Sequence, residues 1–187
     1  MAAVPEDQRI NELRRLGASE PLIRLSSGEV VHELFRYSCL GPPHYVYHGA
    51  GTPFGPPLIP LWDCNDTVVG VWECADGPEF IEFSIEDDDE YSPLAHTEQG
   101  FWATQFDFFY ESDAPLAELR DAASVVGFRF LDRYLAAREA AADRLGTFEG
   151  HQAWLRELVA GIDREWLGRT AIWPQKSIGA PSNSEDA

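Results

Sequence analysis

Carboxylates carry most of the chemistry this sequence could do. Residues 80–91 read FIEFSIEDDDEY and finish in five consecutive acids, Glu86, Asp87, Asp88, Asp89 and Glu90, followed by Tyr91. Asp63 and Asp66 bracket the turn-like stretch CNDT, and Glu73 closes the next apolar run. Side chains of this type can hold a cation, work with a metal as a hydrolase, or attract a basic surface. The calcium pattern is wrong, because no Gly follows Asp87 and Asp89 at the EF-hand turn and no Glu closes a twelve-residue loop. A metal-dependent hydrolase built on Asp63, Asp66 and the acids of 86–90 is one alternative, although acids bordering a turn commonly act as caps and turn formers. Docking asks least of the chain. Neighbouring unit charges ~6 Å apart in water repel by roughly 0.7 kcal/mol, and physiological salt screens them over about 8 Å. A solvated loop carries such a run at small cost, and its field speeds and orients encounter with a cationic partner.

An ordinary solvated acidic loop stands beside docking as a reading of the run, and the setting of the run adds weight to docking. The chain has 32 acids against 14 Lys and Arg, a net charge of −18 at pH 7. Residues 37–119 hold sixteen acids and no Lys or Arg, whereas the segments on either side each come within one charge of neutrality. That block cannot neutralise itself locally. Its acids must face water, reach arginines from the flanks, or meet a cationic partner. Direct binding to nucleic acid is disfavoured, since phosphate affinity comes mainly from Lys and Arg.

Other chemical motifs are weaker. Cys39, His44 and His48 have spacings that invite a zinc reading, but two prolines interrupt the first gap and no second Cys lies nearby, so both histidines read as loop residues. GAGTPFG at 49–55 resembles a phosphate loop only superficially, because Pro53, Pro56 and Pro57 forbid the helix that should follow and no lysine is close. There is no G-x-S-x-G elbow and no convincing Cys–His nucleophile pair. No catalytic residue, metal ligand or cofactor is assigned.

The elements that must position the acids follow from periodicity. LIPLWD (58–63) and TVVGVWEC (67–74) form a hairpin across CNDT. After the turn DGP (76–78), FIEFSIE alternates, with Ile81, Phe83 and Ile85 on one face and Glu82, Ser84 and Glu86 on the other. These segments predict an antiparallel sheet over about residues 58–86 with one wet face. Helices are predicted over 5–17, from 113 to Gly127 with Asp113 as N-cap, beyond Gly127, and over 149–167; residues 97–111 fit either period, with Trp102, Phe106 and Phe109 suiting a helix and Trp102, Thr104, Phe106, Phe108 and Tyr110 a strand, and are read as a helix. Residues 29–37 read as a strand, with a helical turn as the alternative, and the Pro- and Gly-rich 41–60 as a structured loop or surface arm. The fold class is α+β: one domain over 1–174, its sheet packed against N- and C-terminal helices, and a loose tail over 175–187. Most of the six tryptophans read as core, with Trp62 and Trp72 as the two to watch as anchors beside the acids.

No run reaches the ~18 apolar residues of a membrane span, and the first residues lack a secretory apolar stretch. Three cysteines, Cys39, Cys64 and Cys74, suit reduced thiols. The expectation is a cytoplasmic protein without a membrane partner.

PLIPLWDCNDTVVGVWE, then EFIEFSIEDDDEYSPLAHTEQGF, then a helical region opening near SDAPLAELRDAA together resemble the SMI1/KNR4 (SUKH) superfamily over roughly residues 57–130. Bacterial members of that superfamily are frequently immunity proteins of toxin systems. The resemblance implies an α+β domain that binds a toxin and blocks it without chemistry of its own. Joined to the charge pattern, the expected function is non-catalytic binding of a basic toxin, such as a nuclease, through Asp63, Asp66, Glu86, Asp87, Asp88, Asp89, Glu90 and Tyr91. The alternatives are a regulatory or scaffold module of the same fold and the hydrolase above.

Overall fold

β-Branched and aromatic residues concentrate between Leu58 and Ser84, and the sheet forms there. In the computed structural model, which describes residues 3–48, 58–74, 77–86 and 90–169, β1 (Leu58–Cys64) turns through Asn65 into β2 (Thr67–Cys74), and β3 (Gly77–Ser84) returns antiparallel to it. Asn65 takes a left-handed φ of 55°, which Asn tolerates better than most residues. A short fourth strand, β4 (Ser92–Ala95), pairs with β3 to give the order β1-β2-β3-β4. The tail and Trp173 lie outside the described residues.

Both sheet edges are closed to a further strand. Pro60 sits in edge strand β1 at a register shift, where a missing N–H costs the ladder nothing. The outer carbonyls of β1 are taken by the N-terminal segment: Val4 N–H donates to Leu58 O (2.9 Å), Arg9 Nη1 to Pro60 O (3.4 Å) and Ser26 Oγ to Leu61 O (3.2 Å). At the other edge β4 is only four residues long and contains Pro93. Short, proline-bearing or covered edges are how proteins avoid strand-to-strand association.

Among the described residues, seven helices flank the sheet: α1 (Arg9–Arg15), α2 (Glu20–Ser26), α3 (Tyr45–His48), α4 (Glu98–Glu111), α5 (Leu116–Val126), α6 (Leu131–Ala140) and α7 (Phe148–Arg169). Thr97 caps α4 by accepting from Gly100 N–H (3.0 Å), and Gly127 ends α5 with φ 70°. Asp113 is not the cap of α5. It adopts φ 60° before the helix, Pro115 takes the cap position, and no side chain bonds there.

The segment 29–37, expected as a strand, instead holds a 3-10 turn at Glu33–Phe35. Phe35 is fully buried edge-on to Trp102, Phe106 and Phe109 of α4, and this tertiary contact overrides local β-propensity.

The main core lies between the helices and the sheet face carrying Ile59, Leu61, Val69, Val71 and Phe80, where Phe80 stacks on Phe101 at 4.5 Å. The opposite face carries Leu58, Val68, Ile81 and Phe83, buried with Ala3 and Val46. The sheet is therefore apolar on both sides. Only the far end of the expected wet face is polar: Thr67, Glu82, Ser84 and Ser92 continue the Phe80 face beyond the helical layer. Trp62 is fully buried and is core, not an anchor; Trp72 is half-buried. No helix among the described residues is long and apolar enough to cross a membrane.

Candidate functional site

One hydrogen bond brings the acidic segments together. Ile85 N–H donates to Asp66 O (2.7 Å), tying the end of β3 to the β1–β2 turn. Asp63, Asp66, Glu86, Glu90 and Tyr91 thus gather at one end of the sheet. Asp87, Asp88 and Asp89 lie outside the described residues.

These side chains are not equivalent. Asp63 Oδ2 accepts from His44 N–H (2.7 Å) and Tyr45 N–H (2.6 Å), so it caps α3. Asp66, Glu86 and Glu90 are exposed, and among the described residues none has an ion pair. Tyr91 is 38% exposed and stands edge-on to Trp72 at 4.9 Å.

Two residues that sequence reasoning left out belong to this end. Cys64 Sγ contacts Tyr37 O at 3.1 Å, which sets Tyr37, 85% exposed, beside the β1–β2 turn. Its only sequence signal was an aromatic in a segment read as a strand. The second is Glu82. It lines a cleft of about 300 Å³ with Thr67, Ser84, Glu90, Tyr91 and Ser92. Burial pushes its carboxyl above the usual range, and it has no hydrogen-bond or ion-pair partner among the described residues. Its signal was the charged side chain in the alternating run, which reads as plain solvent-facing polarity.

Five of the other described acids of the block find partners away from this end, while Asp113 and Glu118 near the start of α5 are exposed without an ion pair among the described residues. Arg15 of α1 pairs with Glu73 (2.8 Å). Arg138 of α6 pairs with Asp107 (2.8 Å) and with Glu111. Glu79 lies 3.6 Å from His96. Glu98 is half-buried and accepts from Ser19 N–H (2.9 Å) and Trp102 Nε1–H (3.0 Å), while desolvation raises its carboxyl. The arginines of the flanks therefore answer Glu73, Asp107 and Glu111, and most of the acids they leave unanswered lie at the sheet end.

Among the described residues, no three His, Cys, Asp or Glu side chains are grouped so that they could hold a metal ion. Cys39 does not join His44 and His48. It is buried, donates to Gln105 Oε1 (3.1 Å), and its thiol is pushed up to about 12 by burial. A second cleft, of about 350 Å³, opens beside Glu98, Gln99 and Arg129, but its carboxylate is already bonded as described. Against known proteins, the chain matches no protein-family model, no curated protein and no solved structure. What the site can do must be argued from its geometry, which offers displayed carboxylates, one desolvated carboxyl in a cleft, and two exposed tyrosines.

Proposed function

We propose that this chain is a non-catalytic binding protein of the immunity type, which neutralises a basic toxin by covering it with the acidic end of its sheet. The observation that carries this reading is segregation of charge: flanking arginines reach Glu73, Asp107 and Glu111, but none among the described residues reaches Asp66, Glu82, Glu86 or Glu90. A positive surface placed there would gain long-range attraction, and Tyr37 and Tyr91 supply rigid aromatic contact beside the charges. The resemblance of residues 57–130 to the SMI1/KNR4 superfamily supports the same class of function.

The test is capture of the partner from the native organism, repeated from about 0.05 M to about 0.5 M salt, where screening shortens from over 10 Å to under 5 Å. A basic protein whose retention falls steeply with salt, and falls again in the D66N/E86Q/E90Q variant, is the expected result. An acidic or neutral partner, indifferent both to salt and to those substitutions, would refute the reading.

A further inference from the structure

The zinc-like spacing of Cys39, His44 and His48 loses its cysteine to the core, yet the two histidines come together. His48 N–H donates to His44 O (3.0 Å), which closes a single helical turn with both side chains on one side of it. The imidazoles are exposed, with ring centroids 4.5 Å apart and planes tilted by 42°.

The backbone beneath them is held from the other side at four points. Val46 is buried against the sheet. Tyr45 Oη donates to Ile85 O (3.2 Å) and Tyr47 Oη to Val4 O (2.9 Å). Asp63 Oδ2 accepts from the N–H groups of His44 and Tyr45. A four-residue helix would not persist alone in water; these contacts fix it, so only side-chain rotation is needed to bring two ring nitrogens to one point.

We propose that His44 and His48 chelate a borderline transition-metal ion, with Cu(II) preferred over Ni(II) or Zn(II) and water completing the coordination. Two imidazoles at i and i+4 are a recurrent donor pair for such ions. Metal–nitrogen bonds of about 2.0–2.1 Å place two adjacent donor nitrogens roughly 3 Å apart, within reach of rings whose centres are 4.5 Å apart. Imidazole donors follow the order Ni(II) < Cu(II) > Zn(II), whereas Mg(II) and Ca(II) need several oxygens. A net charge of −18 raises the local concentration of any cation. The site is independent of the docking reading.

The experiment uses the full chain without an affinity tag, titrated by calorimetry with CuSO4, ZnCl2 and MgCl2 in a weakly coordinating buffer, with electron paramagnetic resonance on the Cu(II) form. The expected result is tight uptake of one Cu(II) showing nitrogen hyperfine structure, weaker Zn(II) and no Mg(II). H44A and H48A should each weaken Cu(II) by about tenfold or more, a loss of about 1.4 kcal/mol or more. H96A should change nothing, and metal-free melting of all three variants should match the parent chain. The proposal is overturned if the parent chain takes up no Cu(II) below about 100 μM, if the H44A/H48A double variant binds as tightly, or if only one of the two histidines matters.

Discussion

Replacing Asp107 by Ala removes the acceptor on which three side chains from α6 and α7 converge. Asp107 is 4% exposed. Its Oδ1 accepts from Tyr134 Oη (2.9 Å) and Arg138 Nη1 (2.8 Å). His151 Nε2 stands 2.9 Å from Oδ2, off the line of a hydrogen bond, so that contact is electrostatic and present when the imidazole is protonated. Tyr134 is fully buried, and losing its acceptor costs about 1–3 kcal/mol. Arg138 lies between the rings of Tyr110 and Trp154 (4.5 and 5.8 Å) and would keep Glu111, which is half-exposed, as its one carboxylate, beside a long contact to Tyr134 Oη (3.5 Å). Loss of one charged hydrogen bond adds about 1.5–3 kcal/mol. The sum, about 2.5–6 kcal/mol, brackets the about 3–5 kcal/mol cost of removing one partner from a buried ion pair, and for a chain of this size it lowers Tm by roughly 10 °C. Urea unfolding at neutral pH, followed by tryptophan fluorescence, measures it. E111A should cost less than about 1 kcal/mol, as expected of an exposed pair, and a D107A/Y134F cycle should show coupling of about 1 kcal/mol or more. If D107A loses less than about 1 kcal/mol, or the cycle is additive, then Asp107 is not neutralised by its neighbours and the segregation of charge fails.

Two further outcomes follow from single side chains. Glu82 has a folded-state carboxyl raised by burial, so its contribution to stability is full below the ordinary carboxylate range and is lost as pH rises through the raised value; E82Q should therefore raise Tm at pH 7, with the gain shrinking to nothing in acid, and a pH-independent change in Tm would refute the burial argument. At Gly100 a Cβ would fall 2.2 Å from Asp163 Oδ1, the carboxylate that accepts from His96 N–H (2.8 Å) and Thr97 Oγ1 where α4 begins, so G100A should cost about 2–4 kcal/mol in denaturant unfolding, whereas G146A, with open space around it, should stay within about 0.5 kcal/mol.

Elements whose information is local were readable from the chain. The β1–β2 hairpin announces itself through β-branched runs around CNDT, whereas the aromatics of α4 fit a helix through Trp102, Phe106 and Phe109 and equally a strand through Trp102, Thr104, Phe106, Phe108 and Tyr110, and the fold decides for the helix. Elements whose reason lies elsewhere were not. The turn α3 sits among prolines and glycines and is capped by Asp63, so only the fold shows it. Phe35 is drawn into the core by α4, against the strand preference of its own segment. β4 is four residues with a proline and forms because β3 templates it. The acidic site divides the same way. That Asp66, Glu86 and Glu90 could meet a cation was visible in a block without Lys or Arg. Which acids were already answered was not, because Arg138 lies 31 residues from Asp107 and Arg15 is farther still from Glu73.

Glu82 is where the fold and the proposed function press on each other. On the same sheet face it stands across from Val69 of β2 and beside the hydroxyls Thr67, Ser84 and Ser92, and toward the helices the face turns to Phe80 and the core. A neutral side chain there would avoid the desolvation that raises this carboxyl. With both sheet edges closed, strand addition is not open to a partner, so contact must come through side chains at this end. A guanidinium or ammonium entering the cleft between Glu82 and Glu90 would turn the unfavourable charge into a paired one, and its attraction would be stronger there than at Asp66 or Glu86 because less water screens it. On this reading E82Q, although more stable alone at pH 7, binds the basic partner more weakly than E86Q does. Equal binding by the two variants would place the contact on the exposed acids and leave the cleft without a part in it.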